Sequence, residues 1–407
     1  MRMRQLILLF SILVILGAVP VVPAQDTSLT QSSIVRDYWP TDGWMNSTLK
    51  EQGLNEKLLD EMMDEIQTHA IRIDSISIVR NGYMVFDKYP RTLYDADREH
   101  IIHSCTKSFT SALVGIAIAE GYIPGVDSKL VDLLPNRTMD NLDTWKESVT
   151  LEHLLTMTSG FEWDEWTEPY SSSENSHYQM YTSGNPVQFY LDLPMAAEPG
   201  ELWVYSSGAS HLLGAIVAET TGVSLLEYAE QKLFTPLGIS TADVIWPIDN
   251  QGYYYGSGGV YMLPRDMAKF GYLYLNNGTW DGEQVVPSEW VQASAETIIH
   301  FSEYEGYSYQ WWTYQSEDVD VYSAVGFQGQ NIFVVPELDM VVVFTSSVPP
   351  YEPYPQTAIL FDYIIPAALK ELTTQDRIAA LLTASLLIAI PLPIISAWLY
   401  YKIRTRS

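Results

Sequence analysis

The 407-residue chain predicts an α+β fold in which early and late segments share one antiparallel sheet and a helical region is inserted between them. Three observations carry that expectation: a hairpin signal near residue 80, strand signals that return after residue 300, and a helix-rich stretch from 104 to 240. Leu54, Leu58, Leu59, Met62, Met63 and Ile66 recur at helical spacing, so residues 53–69 read as an amphipathic helix. Ile76-Ser-Ile-Val-Arg80 and Tyr83-Met-Val-Phe86 flank Asn81-Gly82, a pair that tolerates the positive φ angles of a two-residue hairpin turn. The segment from Phe161 to Tyr181 is rich in Trp, Tyr and acids and has no clear period. Strand signals return in Tyr307 to Tyr314, Asn331 to Val335 and Met340 to Thr345, and a last helix covers roughly Gln356 to Leu372. Two lobes sharing a cleft are expected, an α/β lobe from about 35–100 and 255–372 and a helical lobe over about 101–254.

The ends of the chain carry their own signals. Arg2 and Arg4 precede an apolar run from Leu6 to Val22, and Val22-Pro-Ala24 before Gln25 fits signal-peptide cleavage, so residues 1–24 read as a leader and the mature domain as 25–375. Ile378 to Tyr401 holds 24 residues without a charge. That is enough to cross a bilayer core of about 30 Å, with a kink expected at Pro391 and Pro393. Trp398, Tyr400 and Tyr401 form an interfacial belt, and Lys402, Arg404 and Arg406 place the 402–407 tail on the cytoplasmic side. The expected product is a single-pass cell-membrane protein with an extracytoplasmic domain. An uncleaved leader would leave that topology unchanged.

The two tails hold five of the 22 basic residues and none of the 50 acidic ones, so residues 25–377 carry a formal charge of −33. Such a surface repels nucleic acid and anionic lipid. Asn46, Asn136 and Asn277 begin candidate glycosylation sequons. Cys105 is the lone cysteine, which excludes an intramolecular disulfide. Seven scattered histidines show no metal-ligand spacing, and no cofactor is expected.

The chemistry is concentrated in Ile101 to Glu120, where Ser104 and Lys107 stand three residues apart at the start of an apolar helical run. Residues at i and i+3 share a helix face, so the Lys107 amine can lie beside the Ser104 hydroxyl. A serine hydroxyl needs an adjacent base, and Lys107 can serve only if desolvation lowers its pKa. The apolar stripe Phe109, Ala112, Leu113 and Ile116 offers that setting. Cys105 points about 100° away from Ser104 on a helix and reads as a small buried hydrophobe. His100 and His103 read as satisfying the start of the helix. A hundred residues on, Pro199-Gly200 and Tyr205-Ser-Ser207-Gly208 precede a helical run that Gly222 would stop.

With Leu154-Leu-Thr-Met-Thr-Ser-Gly160, Phe234-Thr-Pro-Leu-Gly238, Pro264-Arg-Asp-Met-Ala-Lys-Phe-Gly271 and Gly326-Phe-Gln-Gly329-Gln330, these landmarks make the chain resemble the serine hydrolases related to class C β-lactamases over most of 35–370. That group includes penicillin-binding proteins, family VIII-type carboxylesterases and nylon-oligomer hydrolases. The resemblance implies a β-lactamase-like fold with Ser104 as nucleophile, Lys107 as its activator and Tyr205 as a proton shuttle, its pKa lowered by the lysine. It also implies an oxyanion hole from the backbone N–H groups of Ser104 and Gln330. Phe327-Gln328-Gly329 stands where relatives carry Lys-Thr-Gly or His-x-Gly, and Ser207 replaces the amide of Tyr-x-Asn. No cation is present at that triplet to pair with a substrate carboxylate, which argues against β-lactams. Trp163 and Tyr170 are expected to line the cleft.

The expected activity is hydrolysis of a small-molecule ester, amide or peptide through an acyl-serine. One alternative is a D-amino-acid peptidase or penicillin-binding-protein-like enzyme; another is a catalytically degenerate, membrane-tethered binding module. The intact set of Ser104, Lys107 and Tyr205 weighs against degeneration.

Overall fold

A computed structural model describes residues 36–350 and 352–369. The leader at 1–24, the span at 378–401 and the tail at 402–407 lie outside those residues. The following concerns the unit that begins at Tyr38.

Its centre is an eight-stranded sheet. In chain order the strands are β1 (Ile73–Arg80), β2 (Tyr83–Lys88), β3 (Ile299–His300), β4 (Glu305–Tyr307), β5 (Trp312–Tyr314), β6 (Val321–Gly326), β7 (Gln330–Val335) and β8 (Met340–Ser346). They lie in the order β2-β1-β8-β7-β6-β5-β4-β3, every neighbouring pair antiparallel. Early and late segments therefore meet at the β1–β8 seam, where Ile76 faces Phe344 and Ile78 faces Val342. Asn81 (φ 51°) and Gly82 (φ 87°) form the β1–β2 turn in the left-handed region expected of that pair.

Helix α1 (Glu56–Thr68) begins at Asn55, whose side chain accepts from Lys57 N. Its buried Leu59, Met62 and Ile66 pack with Ile76, Ile78, Phe333, Val342 and Phe344 on one face of the sheet. The opposite face, with Val79, Ile332, Val341 and Val343, joins a larger core with Phe270 and Leu273 of helix α4 (Pro264–Leu275). A Cβ at Gly271 would sit 2.6 Å from Val341 Cγ1. The glycine thus permits close helix–sheet approach. Because both faces are covered, β8 is buried throughout and reads as a continuous apolar run.

Between the sheet segments lie two nearly enclosed helices, α2 (Thr106–Ala119) and α3 (Ser207–Thr221), the latter ended by Gly222 at φ 77°. Several of their buried hydroxyls bond inward: Ser108 Oγ donates to Gln310 O at 2.8 Å, Thr110 Oγ1 to Gly256 O at 2.8 Å, and Ser210 Oγ to Gln310 Oε1 at 2.6 Å. Buried Lys146 gathers the carbonyls of Asp140, Leu191 and Leu193. Among the described residues no single helix is long and apolar enough to cross a membrane; Ser207–Thr221 and Leu225–Phe234 meet that test only as a pair bent by 79°.

Two strand readings change. The run expected from Tyr307 to Tyr314 divides into β4 and β5, because Gln310 adopts φ 63° and Ser308 N donates to Trp311 O in a tight turn. β6 and β3 were not anticipated, β6 because Val-Tyr-Ser-Ala-Val-Gly is buried on both faces and so shows no alternation. The last helix runs through 356–368 with a π-helical segment at Leu360–Ile364.

Candidate active site

Ser104 lies in a single 3-10 turn, His103–Cys105, immediately ahead of α2. His103 is held at φ 46°, a conformation that turns the chain from the β-like entry into the helix. One turn along, Lys107 is 2% exposed and its Nζ reaches three acceptors: Ser104 Oγ at 3.1 Å, Ser207 Oγ at 3.1 Å and Ser257 O at 2.7 Å. Burial pushes this amine down to about 8, against a partial restoring pull from Glu165. The shift has the direction the sequence reading required, with burial as its cause.

Tyr205 is buried, with Lys107 Nζ 5.0 Å from its ring centroid and its own ring stacked on Trp166 at 5.1 Å. Its side chain also hydrogen-bonds Ser104. The expectation that the lysine lowers the Tyr205 pKa is overturned. Burial, and then the Glu165 carboxylate, push the phenol well above its ordinary range. Tyr205 therefore keeps its proton near neutrality.

The turn Phe327-Gln328-Gly329 joins β6 to β7, with Gln328 at φ 62° and Gly329 at φ 89°. Gly329 is pressed against the Gln356 amide, where a Cβ would lie 2.1 Å from Nε2. Gln330 is fully buried; its Oε1 accepts from Ser346 N at 3.0 Å and its Nε2 donates to Ser346 O at 2.6 Å. Cys105 Sγ points at Gln330 O, 3.5 Å away, which ties the strand end to the Ser104 turn. Buried Cys105 has its thiol pKa driven up by desolvation, in keeping with an inert side chain.

Ser104, Ser207, Tyr170 and Phe327 line one cavity of about 300 Å³, together with His103, His177, Tyr181 and Tyr255. None of the residues lining it is Lys, Arg, Asp or Glu. Phe327 sits edge-on to His103 (5.6 Å) and Tyr170 (5.3 Å), and burial pushes the His103 imidazole down to about 4. Of the two aromatics expected in the cleft, only Tyr170 lines this cavity. Trp163 is buried behind it, where Nε1 donates to Glu165 Oε2 at 2.8 Å. His100 is away from the cavity and bonds buried Asp74 at 2.9 Å.

Glu165 was missed by sequence reasoning. It is 2% exposed and accepts from Trp163 Nε1, Tyr170 OH (2.9 Å), Ser207 N (2.7 Å) and Ser207 Oγ (3.0 Å). Its position in an aperiodic loop gave no signal. The second partner, Ser207, lies 42 residues away.

A serine bonded to a desolvated lysine, on an antiparallel sheet flanked by helices, defines the class: this is a serine hydrolase of the esterase/amidase type. The chain belongs to the Beta-lactamase family, whose model matches residues 56–362. A 6-aminohexanoate-dimer hydrolase of Paenarthrobacter ureafaciens is 26% identical over 304 residues, covering 72% of this chain and 75% of that protein. Among solved structures, an octameric penicillin-binding protein homologue from Pyrococcus abyssi aligns with TM-score 0.58 and 22% identity over 76% of this chain and 77% of that one. EstCE1, a hydrolase with promiscuous acyltransferase activity, aligns with TM-score 0.61 and 15% identity over 77% and 98% of the two chains. At those identities the structures establish a shared β-lactamase-like α+β fold.

Proposed function

We propose that the protein hydrolyses uncharged esters or amides through an acyl-serine formed on Ser104. The observation that carries this reading is the Lys107 Nζ to Ser104 Oγ bond at 3.1 Å inside a desolvated pocket. In the free-amine form Lys107 takes the Ser104 proton as Oγ attacks the carbonyl carbon. Tyr205, a neutral phenol, gives its proton to the departing alcohol or amine and recovers one from the Lys107 ammonium. Backbone N–H groups of Ser104 and Gln330 are assigned to the developing oxyanion. Water then releases the acyl group by the reverse sequence. The uncharged wall of the cavity favours neutral substrates, since a carboxylate entering it would lose its hydration without gaining a cation. The membrane-anchored, extracytoplasmic setting belongs to the same proposal and rests on the runs at 6–22 and 378–401. Treating the purified full chain with a fluorophosphonate should add one label by intact mass, absent in Ser104→Ala. Labelling that persists in that variant refutes Ser104 as nucleophile.

A further inference from the structure

The bonds around Lys107 leave a question of proton direction that a distance alone does not answer. A neutral amine has two N–H donors and one lone pair. For Lys107 to act as base, that lone pair must face Ser104 rather than either of its other two partners. Ser257 contributes a carbonyl, which only accepts, so it takes one N–H at 2.7 Å. Ser207 contributes a hydroxyl, which could either accept from Lys107 or donate to it.

Glu165 removes that freedom. Each of its oxygens already receives two donors: Oε1 from Tyr170 OH and Ser207 Oγ, Oε2 from Trp163 Nε1 and Ser207 N. The two N–H groups on Oε2 can only donate, and the Tyr170 and Ser207 hydroxyls donate to Oε1, so the group accepts at all four contacts. The single Ser207 hydroxyl proton is therefore directed at a buried carboxylate, where a charge-assisted bond outweighs a neutral one. Ser207 Oγ is left with lone pairs only toward Lys107. Both N–H groups of the free amine are then committed, and the lone pair is turned to Ser104.

We propose that Glu165 is a positioning residue of the reaction, acting through the Ser207 hydroxyl to aim the Lys107 lone pair at Ser104. This rests on the assignment of Ser104 and Lys107 made above. The groups facing Lys107 from the surrounding elements are Glu165, Cys105, Tyr205, His103 and His177. Of these, Glu165 foremost and Cys105 after it support the ammonium form. A neutral amide in place of Glu165 has two separable effects. It withdraws support for the ammonium, so the pH at which Lys107 becomes a free amine moves down. Its own N–H can also donate to Ser207 Oγ, freeing that hydroxyl to donate to Lys107 and occupy the lone pair.

The test is the second-order rate of fluorophosphonate labelling of the full chain as a function of pH, for wild type, Glu165→Gln, Ser207→Ala and the double variant. Glu165→Gln should lower the high-pH plateau about 10- to 100-fold while its acid limb moves to lower pH. Loosened packing gives no reason for the limb to move in that direction. Ser207→Ala should lower the plateau by at least about tenfold without moving the limb down, and the double variant should have a plateau no lower than Ser207→Ala alone, because the two act in series. An unchanged plateau in Glu165→Gln, a limb that stays or moves up, or losses that multiply in the double variant would overturn the proposal. Should Glu165→Gln not fold, a Ser207→Ala plateau within twofold of wild type overturns it instead. Absence of labelling in the wild type, or labelling retained in Ser104→Ala, would sink the assignment of Ser104 rather than the role of Glu165.

Discussion

The depressed Lys107 pKa predicts a pH–rate profile of defined shape. Removing the amine from water penalises the ammonium, which brings the group down to about 8 from its ordinary value of 10.5. If the free amine is the base, activity follows the deprotonated fraction, which is roughly 1% at pH 6, 10% at pH 7, 50% at pH 8 and 90% at pH 9. The value of kcat/KM for a neutral p-nitrophenyl ester should therefore rise about tenfold between pH 6 and 7, about fivefold between 7 and 8, and less than about twofold between 8 and 9. An ordinary lysine would leave the profile still climbing about tenfold per unit at pH 9. Among the facing groups, burial pushes His103 down to about 4, lowers His177 from its ordinary value and drives Tyr205 and Cys105 upward, so none of these four is moved toward pH 8 from below. Initial rates from pH 5.5 to 10 in buffers of constant ionic strength measure this directly, and Lys107→Arg should abolish the inflection along with most of the rate. An inflection near pH 6, or a rise that continues unbroken past pH 10, would refute the argument.

Tyr205→Phe should lower kcat/KM for esters with poor leaving groups by at least about 10²-fold, and by much less for p-nitrophenyl esters whose leaving group needs no proton; equal losses for both would remove the acid role. Phe327→Lys should raise kcat/KM for carboxylate-bearing esters by about 10- to 150-fold while changing neutral esters little, the ratio of the two substrates being the readout. Lys146→Met strands the carbonyls of Asp140, Leu191 and Leu193 in a buried site, and urea unfolding should show a loss of about 2–4 kcal/mol without a change in the pH–rate inflection. Gly208→Ala would place a Cβ 2.2 Å from Tyr190 and 3.0 Å from Trp163, so both melting temperature and labelling rate should fall, the latter through the Glu165 network.

What could be read from the residues alone follows the range of each interaction. The Asn81-Gly82 hairpin and helix α1 are local, and their periods and turn chemistry are written within a dozen residues. Ser104 and Lys107 are likewise one turn apart, so their contact follows from helix geometry. Glu165 was invisible because its meaning comes from Ser207, Trp163 and Tyr170 converging on it, and a single acid in an aperiodic loop carries no period. The direction of the Tyr205 shift was misjudged for the same reason. The sequence places a lysine near the phenol, but only the folded chain brings up a carboxylate and removes the water. β6 escaped notice because a strand covered on both faces has no alternation to reveal it.

The β1–β8 seam also imposes an order of events on biosynthesis. β1 finds β2 within seconds of emerging, yet its other edge waits for residues 340–346, about 270 positions later, which is on the order of 10 to 50 s of translation. During that interval Ile73, Ile76, Ile78 and Val79 present apolar side chains and a row of unpaired backbone groups, the state most open to pairing with the wrong chain. The nascent polypeptide must be kept apart from its neighbours until almost the whole domain exists. The β1–β8 pairing closes a loop of about 270 residues, the kind of long-range contact that slows folding, and the catalytic cleft depends on a comparable span, from Cys105 beside Ser104 to Gln330.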